Sequence, residues 1–209
     1  ITEGLVGSEM CIRDRAWQQG DGVLLFMPHF GCWEFLSIYL GDQYSISALY
    51  APPNVSALED SMLKMRERQG ATMHPTSGAG LRGLMRGLQS GDLVVVLPDQ
   101  VPVAKKGVVA PFFGQPARTM LLGKRLMQAG NPRVVMAAAW RELGPDGIGY
   151  RLSFTAPSDA LSSSQDVEYA AALNAAIEAI VQCDPAQYQW SYKRFRRIAD
   201  DAPDLYRRQ

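Results

Sequence analysis

Cysteine and histidine are scarce in this chain of 209 residues: three cysteines (Cys11, Cys32, Cys183) and two histidines (His29, His74). The cysteines form no C-x-x-C pair, and two histidines without one cannot build an ordinary zinc site, so no metal is expected. So few thiols fit a reducing compartment. An excess of one charge is also missing. Lys+Arg 21 against Asp+Glu 21 leave a net charge of +0, so nothing suggests a nucleic-acid partner. No apolar run approaches the ~18 residues of a membrane span, and no signal-peptide pattern is visible. The G-x-S-x-G elbow is absent, which leaves a hydrolase serine unsupported, and so is the G-x-x-x-x-G-K-[ST] loop.

What is present suits one globular domain with a sizeable core, at 47% hydrophobic residues. From Gly20 onward strand-like and helix-like stretches alternate. Strands are expected at Val23–Met27, Ser45–Tyr50, Thr72–His74, Leu93–Leu97, Arg133–Trp140 and Tyr150–Thr155. Helices are expected at Cys32–Leu40, closed by Gly41, and after the capping box Ser56-x-x-Glu59. Others follow over Leu81–Leu88, ending at Gly91, over Thr119–Ala129, closed by Gly130, and over Gln165–Val181, with Ala170, Leu173, Ile177 and Ile180 inward. Val101 to Ala117 reads as a long loop, a kind that is often functional. Gly144-Pro145-Asp146-Gly147 signals a hairpin, which makes the sheet mixed. The expectation is an α/β fold: a single layered domain with a mixed, mostly parallel sheet flanked by helices.

One motif competes for a function. Gly78-Ala79-Gly80-Leu81-Arg82-Gly83 is a literal G-x-G-x-x-G, and Asp99 lies 19 residues after Gly80. That fingerprint needs a strong apolar strand just before it, whereas Arg66 to Ser77 is polar and contains His74-Pro75. The glycines are read as permitting a turn and close helix packing, and His74 as a structural histidine.

The organising stretch is Gly22 to Glu34, an apolar run of strand character that ends at Pro28 and is followed at once by His29. α/β proteins commonly place their chemistry at such a junction. Positions five apart diverge by roughly 140° on an ideal helix, so His29 and Glu34 meet only if His29 stays in the turn. Pro28 and Gly31 permit that break. A carboxylate beside an imidazole fixes its tautomer, and the free nitrogen takes a proton from a hydroxyl. The plain reading is a turn histidine and a surface glutamate.

His29-x4-Glu34 resembles the H-x4-D/E motif of glycerolipid acyltransferases. The wider chain resembles the lipid A biosynthesis acyltransferases, the late lauroyl and myristoyl transferases of Gram-negative bacteria. Four further stretches carry the likeness in family order: Met65–Arg68, Leu97–Gln100, Ala110–Gly114 and Gln187–Phe195. It covers residues 20–197, the expected acyltransferase domain, with a tail at 198–209. Residues 1–19 read as a leader, foreign or disordered, and the chain as lacking the family's N-terminal region and membrane helix. Where many members carry Tyr-Arg-Pro, this chain has Ala51.

The resemblance implies transfer of a fatty acyl group from a thioester, on acyl carrier protein, to a hydroxyl of a lipid A precursor. It needs no cofactor and takes place at the cytoplasmic face of the inner membrane. His29 is the implied general base and Glu34 its support. Family position favours Arg68 for an acceptor phosphate; for Arg66 a cation near a helix end suffices. Asp99 is a second polar group for the same cleft, or else a cap for the turn before Val101-Pro102. Phe112 and Phe113 are core plugs or a greasy wall for an acyl chain or membrane. Tyr188, Trp190, Tyr192 and Phe195, interleaved with Lys193, Arg194, Arg196 and Arg197, suit a membrane surface or a solvated basic face. Left open are an acyltransferase with another glycolipid or aminolipid acceptor and a non-catalytic lipid-binding module or inactive fragment.

Overall fold

The computed structural model describes residues 22–51, 59–67, 70–102, 106–145, 147–196, 198 and 206. The leader, the Ser56 end of the capping box, Arg68 and nearly all of the tail lie outside these. The strands are β1 (Val23–Phe26), β2 (Ile46–Tyr50), β3 (Ala71–Pro75), β4 (Leu93–Val96), β5 (Gly107–Phe112), β6 (Gln115–Met120), β7 (Arg133–Gly144) and β8 (Gly147–Thr155). The helices are α1 (Trp33–Gly41), α2 (Glu59–Glu67), α3 (Gly78–Gln89), α4 (Leu122–Gly130) and α5 (Asp166–Cys183).

Six strands form one sheet in the order β3-β2-β4-β1-β7-β8, parallel except for the last, antiparallel pair. This is the mixed, mostly parallel sheet expected. Its centre explains the composition of β1 and β4. Val23-Leu24-Leu25-Phe26 and Leu93-Val94-Val95-Val96 are buried throughout, because helices cover both faces of a parallel sheet. Leu24 and Phe26 join one core with Leu84, Leu126, Leu173 and Ile177. Val23, Leu25 and Met27 join the other with Leu36 and Leu40 of α1. Each such side chain contributes roughly 1.5–3 kcal/mol on burial.

The glycine motif is a packing device. Ser77 caps α3 by accepting from the Gly80 N–H. A Cβ on Gly80 would stand 1.9 Å from the Pro75 carbonyl oxygen, and one on Gly83 2.5 Å from the His74 ring. These bare positions let α3 lie directly on β2 and β3.

The long loop expected over Val101 to Ala117 is instead largely strand. β5 and β6 pair as an antiparallel hairpin, with Phe112 opposite Gln115. Its two-residue turn has Phe113 at φ 48 and Gly114 at φ 71, the doubly left-handed form that matches strand twist. Phe113 disguises the turn, since a bulky residue rarely adopts positive φ. β6 also consumes Thr119 and Met120, so α4 starts only at Leu122. It closes on left-handed Asn131, one residue beyond the expected Gly130. α1 ends without a left-handed glycine, its cap Asp42 being right-handed.

Candidate active site

β1 and β4 are parallel neighbours with Phe26 opposite Val96. His29 lies three residues past Phe26, and Asp99 three past Val96. Equal offsets from a shared register bring both side chains to one point at the carboxyl edge of the sheet. Asp99 Oδ1 lies 2.7 Å from His29 Nδ1. Asp99 Oδ2 accepts from the His29 backbone N–H at 2.9 Å. The carboxylate is 2% exposed and the imidazole 13%, so this pair works largely out of water. A carboxylate only accepts, so Nδ1 carries a proton, and in the neutral imidazole Nε2 then presents its lone pair. The Gln100 amide lies 3.1 Å from that nitrogen. The Trp33 ring packs edge-on against the imidazole, centroids 5.3 Å apart.

Gly31 turns the chain from His29 into α1. Its φ is +58, and a Cβ there would stand 1.9 Å from the Ala139 carbonyl oxygen. The Cys32 N–H donates to that same oxygen at 2.9 Å, tying the turn to β7. This reversal places Glu34 on the exposed side of the first turn of α1, where it makes no hydrogen bond or ion pair among the described residues. The imidazole's carboxylate is therefore that of Asp99; the expected His29–Glu34 contact is not formed. The shared register of β1 and β4 carries that pairing, which no spacing along the chain reveals.

The stretch Gln187–Phe195 is a clamp over this loop. Gly31 N–H donates to the Gln187 carbonyl at 2.9 Å, and Gln189 N–H to the His29 carbonyl at 3.1 Å. The Tyr192 hydroxyl accepts from the Val101 N–H at 2.9 Å, fixing the segment after Gln100. Tyr188 is buried; burial first, and the nearby Asp99 charge next, hold its phenol well above the ordinary range. Arg194 is 3% exposed. It donates to the Arg118 carbonyl at 2.7 Å and to Thr119 Oγ1 at 2.9 Å, binding the clamp to β6. Burial pulls its guanidinium below the usual arginine value. The run offered as a basic, aromatic face thus turns Tyr188 and Arg194 inward, leaving Trp190 and Lys193 exposed.

Phe112 is fully buried, the core plug. Phe113 is half-buried, packed 5.5 Å from the half-exposed Trp190 ring, and its N–H donates to Glu178 at 2.8 Å. Among the described residues, no group of three or more His, Cys, Asp or Glu could hold a metal ion. No described helix is long and apolar enough to cross a membrane.

A histidine held by a buried carboxylate stands at the carboxyl edge of the parallel sheet, so the chain is an α/β domain with a candidate site at that edge. The family model described as bacterial lipid A biosynthesis acyltransferase matches residues 9–197, beginning inside the segment read as a leader. The chain belongs to that family. It is 28% identical over 191 residues to a lipid A biosynthesis acyltransferase of Haemophilus influenzae, covering 90% of this chain and 60% of the relative. It is 29% identical over 196 residues to the lipid A biosynthesis palmitoleoyltransferase of Escherichia coli, covering 92% and 61%. With the lauroyltransferase of the same organism it shares 25% over 189 residues, covering 90% and 60%. The chain therefore spans about three fifths of these relatives' length.

Proposed function

We propose that this domain transfers a fatty acyl group from a thioester of acyl carrier protein to a hydroxyl of a lipid A precursor, at the cytoplasmic face of the inner membrane. The observation that carries the reading is the His29–Asp99 pair, in which the neutral imidazole has its lone pair on Nε2. Nε2 takes the proton of the acceptor hydroxyl as its oxygen attacks the thioester carbonyl. Asp99 stabilises the imidazolium that forms. The C–S bond then breaks, and the leaving thiolate takes the proton from His29. No acyl-enzyme is needed.

The remaining roles carry over from the family's motifs. Glu34, exposed in the first turn of α1, makes no contact with His29 in this structure and is assigned a supporting role toward the imidazole in the substrate-bound state alone. Phe113 and Trp190 offer an apolar wall to the acyl chain, and Arg68 is assigned to an acceptor phosphate. Ala51 stands in place of the arginine many members carry and removes one cation, which leaves room for a second acceptor class, another glycolipid or an aminolipid. The test is transfer of radiolabelled acyl groups from acyl carrier protein to candidate acceptors. His29→Ala is expected to slow transfer by about 10²–10⁴-fold, the share of a general base. Full turnover by His29→Ala would refute the mechanism.

A further inference from the structure

The second ring nitrogen of His29, Nε2, has a protein partner in the free protein. Asp99 at 2.7 Å fixes a proton on Nδ1, so in the neutral ring Nε2 is an acceptor. Only the amino end of an amide is attracted to a lone pair, so Gln100, 3.1 Å away, donates to Nε2. Gln100 sits directly after Asp99 in a segment held by the Val101 N–H to Tyr192 bond. The carboxylate and the amide thus grip the ring from opposite sides, with the Trp33 edge against it.

We propose that Gln100 guards the base against water. The inference rests on the acyltransferase reading. A bound thioester is open to two nucleophiles, the acceptor hydroxyl and water. Were water to occupy Nε2, its oxygen would bond to the carbonyl carbon and the C–S bond would break. The water's proton would pass to His29 and then to the thiolate, giving a free fatty acid and a free thiol. Gln100 fills that position until an acceptor, bound by its other contacts, displaces it. A small mobile water has no such contacts to spend and competes poorly with a tethered amide. A glutamine is also suited to yield. By turning its amide it can offer Oε1 to the imidazolium after proton transfer, whereas glutamate would hold the charged ring and leucine would hold neither form.

Gln100 is on this account a positioning residue, and two measurements on the same chain test it. The first follows imidazole nitrogen resonances of the ¹⁵N-histidine-labelled protein, with His74→Gln used to assign the two rings. Wild type is expected to show a protonated Nδ1 and a hydrogen-bonded, unprotonated Nε2. In Gln100→Ala the Nε2 signal moves while Nδ1 stays, and in Gln100→Glu both nitrogens are protonated at neutral pH. The second measures thiol release from lauroyl-acyl carrier protein without acceptor. Release in Gln100→Ala should rise roughly tenfold over wild type, the worth of one hydrogen bond, and the ratio of hydrolysis to transfer should rise with it. An Nε2 signal unmoved in Gln100→Ala, or unchanged thiol release from a variant that still transfers, overturns the guard. If the nitrogen signals behave as stated but wild type transfers to no hydroxyl acceptor, the acyltransferase reading fails and the Gln100 contact stands.

Discussion

Asp99→Asn changes one atom of a buried group and should invert the base. In the native protein both carboxylate oxygens are used: Oδ2 accepts from the His29 backbone N–H at 2.9 Å and Oδ1 from Nδ1 at 2.7 Å. Asparagine keeps the shape but has one oxygen and one NH₂. If the NH₂ faces the backbone N–H, two donors meet in a dry site, at a cost of roughly 1–3 kcal/mol. If it faces Nδ1, every group is satisfied, provided the imidazole moves its proton to Nε2 and Gln100 turns its amide to offer Oε1 there. The second arrangement wins, because a tautomer shift is cheap beside a buried unmatched donor. The nitrogen that must accept the substrate proton then already carries one. A triad carboxylate changed to its amide shows a loss of about 10⁴-fold in kcat for this reason, or ~5.5 kcal/mol of transition-state stabilisation at ~1.36 kcal/mol per tenfold. Thermal unfolding should shift little. The assay is acyl transfer from acyl carrier protein beside an unfolding curve for each protein. A folded Asp99→Asn protein turning over within roughly tenfold of wild type refutes the argument.

Glu34→Gln should cut transfer by roughly tenfold or more yet leave stability within about 0.5 kcal/mol, since Glu34 is exposed and makes no hydrogen bond or ion pair among the described residues; undiminished transfer removes Glu34 from the mechanism. Gly80→Ala should destabilise by about 1–3 kcal/mol in chemical denaturation, because its methyl meets rigid backbone at Pro75; an unchanged midpoint contradicts the packing role. Tyr188 has its phenol raised in the fold, so it favours the folded state below the free phenol value of about 10 and loses that contribution as pH rises through and beyond it. Tyr188→Phe should therefore flatten the alkaline fall in stability measured from about pH 9 to 11, and a fall as steep as in wild type counts against the assignment.

The central strands were legible because a fully buried strand must be apolar throughout, and Val23–Phe26 and Leu93–Val96 are. The hairpin of β7 and β8 announced itself through its glycines. The β5–β6 hairpin did not, because its left-handed turn begins with Phe113 rather than with glycine or asparagine. His29 was legible as a histidine closing a strand. Asp99 was read as a second polar group of the same cleft, but its pairing with the imidazole was not legible, since the adjacency of β1 and β4 joins the two, a fact of topology rather than of spacing. The same limit applied to the clamp. Tyr188 and Arg194 look like surface groups by type, and only the contacts to Asp99 and Thr119 make them interior.

The bonds from Gly31 to Gln187 and from Gln189 to His29 join the first strand's loop to residues near the far end of the domain. Such contacts close long loops and are paid for late in folding. During synthesis β1 and its histidine leave the ribosome well before the clamp exists. A nascent chain can hold His29 and Asp99 side by side once β4 has paired, yet the turn that aims the imidazole has no roof until Gln187–Tyr192 docks. On the proposed mechanism, competence should be the last property this domain acquires. Limited unfolding that frees only the C-terminal segment should silence the site while the sheet persists, so activity should fade at a lower denaturant concentration than the far-ultraviolet signal of the sheet.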